Sequence, residues 1–168
     1  MTLDIMGVWV LEMNLRPAIE IAAKAESLDP NLVNAIVIVE SSCDPSAIRY
    51  EQFYRYLFFP RECADKNGIS FDTEVACQKM SWGLMQVMGA VAREYGFQGM
   101  FPDLCKVGIG LSYGCKLIHR LSEKYYQEEE VVSAYNAGCV VRTTGGMFTN
   151  QLYVDKVYRA LRAFRALK

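Results

Sequence analysis

A chain of 168 residues, 52% of them hydrophobic and 22% charged, has globular composition and the length of one domain. Its 18 basic and 19 acidic side chains leave a net charge of −1, which excludes a globally cationic nucleic-acid binder, because gripping phosphates needs a surplus of Lys and Arg. The longest uncharged run, residues 80–92, has 13 residues, short of the roughly 20 that a membrane-spanning helix needs.

Residues 5–11 are a short apolar stretch between Asp4 and Glu12, without the basic start of a signal peptide. A protein acting outside the cytoplasm would then be released by a partner, or have had its leader removed. Residues 17–28 read as a helix opened by Pro17 and carrying Ile19, Ala22, Ala23 and Leu28 on its apolar side. Asp29 and Pro30 are a good cap and first residue for the next helix, 31–42. That helix is apolar nearly all round from Leu32 to Val39, as a core helix is, and ends on Glu40-Ser41-Ser42 ahead of Asp44-Pro45. Residues 50–59 hold six of the 20 aromatics, whose simplest role is a small core of their own. Asn67-Gly68 marks a turn. Short helices follow over 72–79, capped by Asp72, and over 83–95, ended by Gly96. A long helix over 102–125 is weakened by Gly108, Gly110 and Gly114. Residues 128–136 form a helix with three acids in its first turn, closed at Gly138. A loop at 143–146 precedes an amphipathic last helix, 149–167. With no repeat, linker or clear strand alternation, one all-α domain over residues 1–168 is expected.

The six cysteines form no CxxC pair and the single histidine is His119, so no metal site is expected. Most of these thiols sit in apolar sequence and read as free and buried, which suits a reducing compartment. Cys115 and His119, four apart on a helix, have the spacing of a nucleophile and base, but no third group orients them and core packing is the better reading. Arg159, Arg162, Arg165 and Lys168 recur every three residues near the end. A solvated face is the default; peripheral contact with an anionic wall or membrane surface is the sharper alternative.

Glu40 stands out. A carboxylate closing so apolar a helix is expected to lie against the core, where desolvation and the negative helix end both favour its protonated form, as a general acid requires. The plain alternative is an exposed or ion-paired glutamate. The string Ala35-Ile36-Val37-Ile38-Val39-Glu40-Ser41-Ser42-Cys43-Asp44-Pro45 resembles the first motif of lytic transglycosylases of the soluble-lytic-transglycosylase (SLT) type, in the lysozyme-like superfamily with goose-type lysozymes. Gly83-Leu84-Met85-Gln86 is similar to the second motif, Ala134-Tyr135-Asn136-Ala137-Gly138 to the third, and Tyr153 to the fourth. Together, in order, they span about residues 30–160.

The resemblance implies an all-α, lysozyme-like fold and cleavage of the MurNAc–GlcNAc β-1,4 bond of peptidoglycan without cofactor or metal. Glu40 would be the acid/base; Ser41, Met85 and Gln86 would lie beside it; Tyr135 and Asn136 would hold the sugar, and Tyr153 would close the pocket. One carboxyl group would protonate the glycosidic oxygen and then take the proton of the muramate C6 hydroxyl, giving a 1,6-anhydro product. Usual glycosidases need a second carboxylate. Asp44 and Glu51 are the candidates for one, and would make the chain a hydrolase like goose-type lysozymes. Asp44 reads better as a turn residue and Glu51 as a partner of Arg49 or Arg55. A non-catalytic wall-binding module is the third reading.

Two features depart from the family pattern. The 42 residues between Glu40 and Gly83 exceed the usual spacing, and this insert, with its aromatic run, offers an extension of the glycan groove as the alternative to a local core. The serine that helps to orient the acid in many relatives is not evident, leaving Arg49, Ser81 and Glu51 as candidates. The insert and Trp82-Gly83-Leu84-Met85-Gln86 are similar to phage or prophage members. An endolysin made in the host cytoplasm and acting on the wall is therefore expected, working as a monomer; a secretion or conjugation enzyme is the other setting.

Overall fold

The structure is a computed structural model and describes residues 5–166. Asp4 and Lys168, which enter two of the expectations above, lie outside that range. Helix α1 (Ile5–Ala25) carries Pro17 in its interior, so the predicted helix start at Pro17 is corrected: the proline forgoes one backbone bond in a helix already under way. Asp29 opens the next helix as expected. Its carboxylate accepts the Asn31 N–H at 2.9 Å and its carbonyl accepts those of Leu32 and Val33. Helix α2 (Pro30–Ser41) buries every residue from Asn31 to Val37, and its last turn, with Glu40, is half-buried. It stops where Ser42 and Cys43 turn left-handed in succession, at φ 53° and 66°.

Strand β1 (Ile48–Tyr50) is followed by α3 (Pro60–Asn67), which Gly68 closes in the left-handed region. In α4 (Phe71–Gln78) the cap is Ser70, whose hydroxyl accepts the Thr73 N–H, and Asp72 sits in the first turn instead. The helix predicted over 83–95 is largely absent. Strands β2 (Met80–Trp82) and β3 (Val87–Met88) flank a tight turn, and only α5 (Gly89–Glu94) is helical. Gly83 and Gln86 have φ 67° and 47°, which no right-handed helix accommodates. The three strands form an antiparallel sheet in the order β1-β2-β3, with Arg49 opposite Ser81 and Ser81 opposite Met88.

The long helix expected over 102–125 is two elements, a 3₁₀ turn (Phe101–Cys105) and α6 (Val107–Lys124), separated by an extended Lys106. Two of the three glycines that weaken α6 serve packing. A Cβ at Gly110 would strike the Leu104 carbonyl, and one at Gly114 would strike the Met85 side chain. Helix α7 (Glu128–Ala137) ends on left-handed Gly138 as predicted. The following loop is tightened by the Thr143 N–H to Met147 carbonyl bond, and α8 (Gln151–Arg165) completes the fold. The mostly helical architecture is the expected one, with a small sheet that the sequence does not announce.

The chain divides into two compact units, one comprising residues 1–39 and 115–168 and the other Glu40–Gly114. In the first, α7 packs on α8, and Val131, Val132, Val154, Val157 and Leu161 are buried. Arg159, Arg162 and Arg165 are exposed, the solvated face expected, and Arg165 pairs at the surface with Asp29 at 2.8 Å and Glu128 at 3.1 Å. In the second unit Trp82 stacks on Phe101, with ring centres 5.8 Å apart. Arg93 lies over the same Phe101 ring at 4.1 Å and makes a two-point, fully buried bond to Glu74, 2.8 and 3.0 Å. Its remaining donors go to the Phe97 and Gly99 carbonyls, so this buried charge is matched on every side. No helix among the described residues is long and apolar enough to cross a membrane.

Candidate active site

The second unit contains Glu40, Ser41, Met85 and Gln86. Glu40 occupies the last turn of α2, half-buried. Next to it, the Ser41 hydroxyl donates to the Leu84 carbonyl at 2.8 Å. The end of the acid-bearing helix is thereby fastened to the turn that joins β2 to β3. That turn is built tightly. The Gly83 N–H reaches the Ala47 carbonyl at 2.8 Å. A side chain on Gly83 would collide with Leu104 as well as strain its left-handed backbone.

Gln86 locks the turn from inside. Its amide nitrogen donates to the carbonyls of Ala47 and Gly83, both at 2.9 Å, while its amide oxygen accepts the Ser81 hydroxyl at 2.8 Å. Because carbonyls only accept, these contacts also fix which way the amide points. Every polar atom of this side chain is therefore engaged by protein. Met85 is fully buried, with its side chain against Gly114. Ser42, Cys43 and Gln86 are three of the five non-glycine residues with positive φ among the described residues. Such strain costs about 1–3 kcal/mol each and gathers where geometry has to be held.

The carboxylates weighed as a second catalytic group are engaged nearby. Asp44 accepts from the Ser46 N–H and hydroxyl at 2.8 and 2.6 Å, as a turn residue does, and Glu51 pairs with Arg49. The Ser81 hydroxyl donates its hydrogen bond to the Gln86 amide oxygen.

The first unit contains Tyr135, Asn136 and Tyr153. Tyr135 and Asn136 sit in the last turn of α7, and Tyr153 in the first turn of α8; both tyrosines are half-buried and Asn136 is exposed. Sequence reasoning missed Asn150, which organises this corner. Its amide nitrogen donates to the Ser133 carbonyl and to the Asn136 side-chain oxygen, both at 3.0 Å, and its oxygen accepts the Ser133 hydroxyl at 2.7 Å. The Ser133 carbonyl dictates the orientation of Asn150, and Asn150 in turn fixes the Asn136 side-chain oxygen as the acceptor of their bond. An asparagine directly before a helix is a cap signal; here it caps nothing with its side chain and spends it on Asn136.

The family model described as the transglycosylase SLT domain matches residues 17–144. That span exceeds half the chain and takes in Glu40, Gln86, Tyr135 and Asn136. The chain belongs to the transglycosylase SLT family. No curated protein and no solved structure gives a significant match. Membership carries the lysozyme-like, mostly helical fold, lytic-transglycosylase-type activity and peptidoglycan as substrate class. Tyr153 lies beyond the matched span.

No thiol chemistry competes with this reading at Cys115. It is fully buried, burial pushes its thiol up to about 12, and Glu26 adds to the effect. His119 donates through Nδ1 to the Glu26 carbonyl at 3.1 Å. Burial likewise raises the thiols of Cys63, Cys77 and Cys105. All six cysteines are free, as expected, but only Cys43 and Cys115 are buried and Cys139 is exposed, so the expectation that most of the thiols are buried is corrected. No group of three or more His, Cys, Asp or Glu among the described residues is arranged to hold a metal.

Proposed function

We infer that this SLT-family chain cleaves the MurNAc–GlcNAc β-1,4 bond of peptidoglycan by intramolecular transglycosylation, with Glu40 as acid and then base. The observation that carries the reading is the fastening of the Glu40 helix end to the second-motif turn through Ser41 and Leu84, inside the span matched by the family model. Protonated Glu40 delivers its proton to the glycosidic oxygen as the bond to the leaving sugar breaks. The resulting carboxylate takes the proton of the muramate C6 hydroxyl as that oxygen bonds to its own anomeric carbon. One carboxyl group ends as it began, and no water is consumed. Commitment of Asp44 to Ser46 and of Glu51 to Arg49 supports one-carboxylate chemistry over a water-activating pair. Asn136, its amino group oriented by Asn150, is the donor that suits the sugar's N-acetyl oxygen.

Product analysis of digested sacculi tests the chemistry. Anhydro-muramoyl ends, abolished by Glu40→Gln in a folded protein, are expected; reducing ends would move the chain to the hydrolases, and retained activity in the variant would remove Glu40 from its role.

A further inference from the structure

The aromatic segment within the long Glu40–Gly83 spacing does not form the local core that its composition suggests. Tyr50 is 53% exposed, Phe53 82%, Tyr56 82% and Phe59 62%, so one ring in every third position faces solvent. Between them Tyr54, Leu57 and Phe58 are half-buried. This part of the chain has no regular structure after β1, yet it is held from beneath. The Gln78 side chain grips Phe58 on both sides, accepting its N–H at 2.8 Å and donating to its carbonyl at 2.9 Å. Gln78 is itself fully buried and bonded to Glu74, the buried partner of Arg93. Phe59 adopts φ 35° before Pro60, a conformation costly for an aromatic residue. A buried ion pair, a buried amide and a strained residue thus hold a segment that leaves four large rings in water, where a folding requirement alone would turn them inward.

We propose that Tyr50, Phe53, Tyr56 and Phe59 form a pre-ordered platform that binds the glycan strand of peptidoglycan away from the scissile bond. This rests on the activity inferred above. The platform is continuous with the candidate active site: it begins on β1, whose Arg49 pairs with Ser81, and the preceding Ala47 carbonyl is held by Gly83 and Gln86. The exposed residues of the segment, Tyr, Gln, Phe, Arg, Tyr and Phe at 50, 52, 53, 55, 56 and 59, include no aliphatic side chain. Flat rings offer stacking faces to the C–H faces of pyranose sugars, and phenol, amide and guanidinium groups meet their hydroxyl edges. A surface built for anionic lipid would concentrate cations. Here three arginines and two glutamates share residues 49–62, and Arg49 is already paired with Glu51.

The test compares wild type with F53A/Y56A, both exposed positions outside the catalytic machinery, and with F53Y/Y56F, which keeps both rings. Readouts are co-sedimentation with purified sacculi, turnover of sacculi, and turnover of a short muropeptide fragment. The alanine pair is expected to weaken sacculus binding and sacculus turnover about tenfold while leaving fragment turnover at the wild-type rate, and the ring-preserving pair to behave as wild type. Unchanged sacculus binding in F53A/Y56A overturns the platform while leaving the activity standing. So does loss of binding only to vesicles of phosphatidylethanolamine and phosphatidylglycerol, which would make the segment a lipid contact. Absence of any product from wild type overturns the activity and the platform together.

Discussion

The β2–β3 turn of the second unit and the α7–α8 corner of the first use the same chemical group, a primary amide, to opposite ends. In the turn, Gln86 spends all its polar atoms on Ala47, Gly83 and Ser81. At the corner, Asn150 makes the comparable internal contacts, and Asn136, whose side-chain oxygen accepts from it, stays exposed. The turn holds and the corner can touch. A motif match names both sets of residues alike; only their hydrogen-bond partners separate an amide spent inside the protein from one left exposed.

The largest expected effect concerns neither amide but Glu40, the proposed acid. Glu40→Gln should lower product formation by about 10³-fold or more with the thermal midpoint unmoved. A large drop in stability would instead place Glu40 among the structural groups. Next, Arg93→Leu should cost about 3–5 kcal/mol in urea unfolding by stranding buried Glu74, and adding Glu74→Leu should recover part of that loss.

Three single substitutions sharpen the contrast between turn and corner. Gln86→Ala should destabilise by about 1–3 kcal/mol and lower kcat with KM little changed, because it loosens the turn rather than removing a sugar contact. Asn136→Ala should leave stability within about 0.5 kcal/mol and weaken kcat/KM about tenfold, and Asn150→Ala should lose activity in step with it while also losing stability. A stable Gln86→Ala beside an unstable Asn136→Ala would reverse the assignment. The smallest effect is electrostatic. The Cys115 thiol is held above its ordinary 9.0, at about 12. Below pH 9 both folded and unfolded thiols are protonated and this group adds no pH dependence. Above it the unfolded thiol ionises first, so unfolding free energy falls with rising pH, by at most about 1.4 kcal/mol per unit. Cys115→Ala should flatten that slope in alkaline denaturation curves.

The helices with strong local signals were legible. Asp29 caps α2, the run from Leu32 to Val39 reads as core, and Gly138 ends α7, because each depends on neighbours along the chain. Glu40 was legible for the same reason, as a carboxylate closing an apolar helix. The stretch 83–95 was not. Its residues have ordinary helix-compatible composition, but Gly83 must pass the Leu104 carbonyl and Gln86 must curl left-handed to reach Ala47, demands set by residues 21 and 39 positions away. The aromatic run was misread for a related cause. Composition records that rings are present, whereas exposure depends on Gln78 gripping the chain from a different helix.

The sequence by itself determined a mostly helical chain and the family, both of which follow from local pattern and motif order. The tertiary structure alone decided which motif residues are spent on the protein, that Asn150 aims Asn136, and that four rings stand in water. Those outcomes turn on hydrogen bonds and burial between segments far apart in the chain, and a one-dimensional pattern carries no term for them.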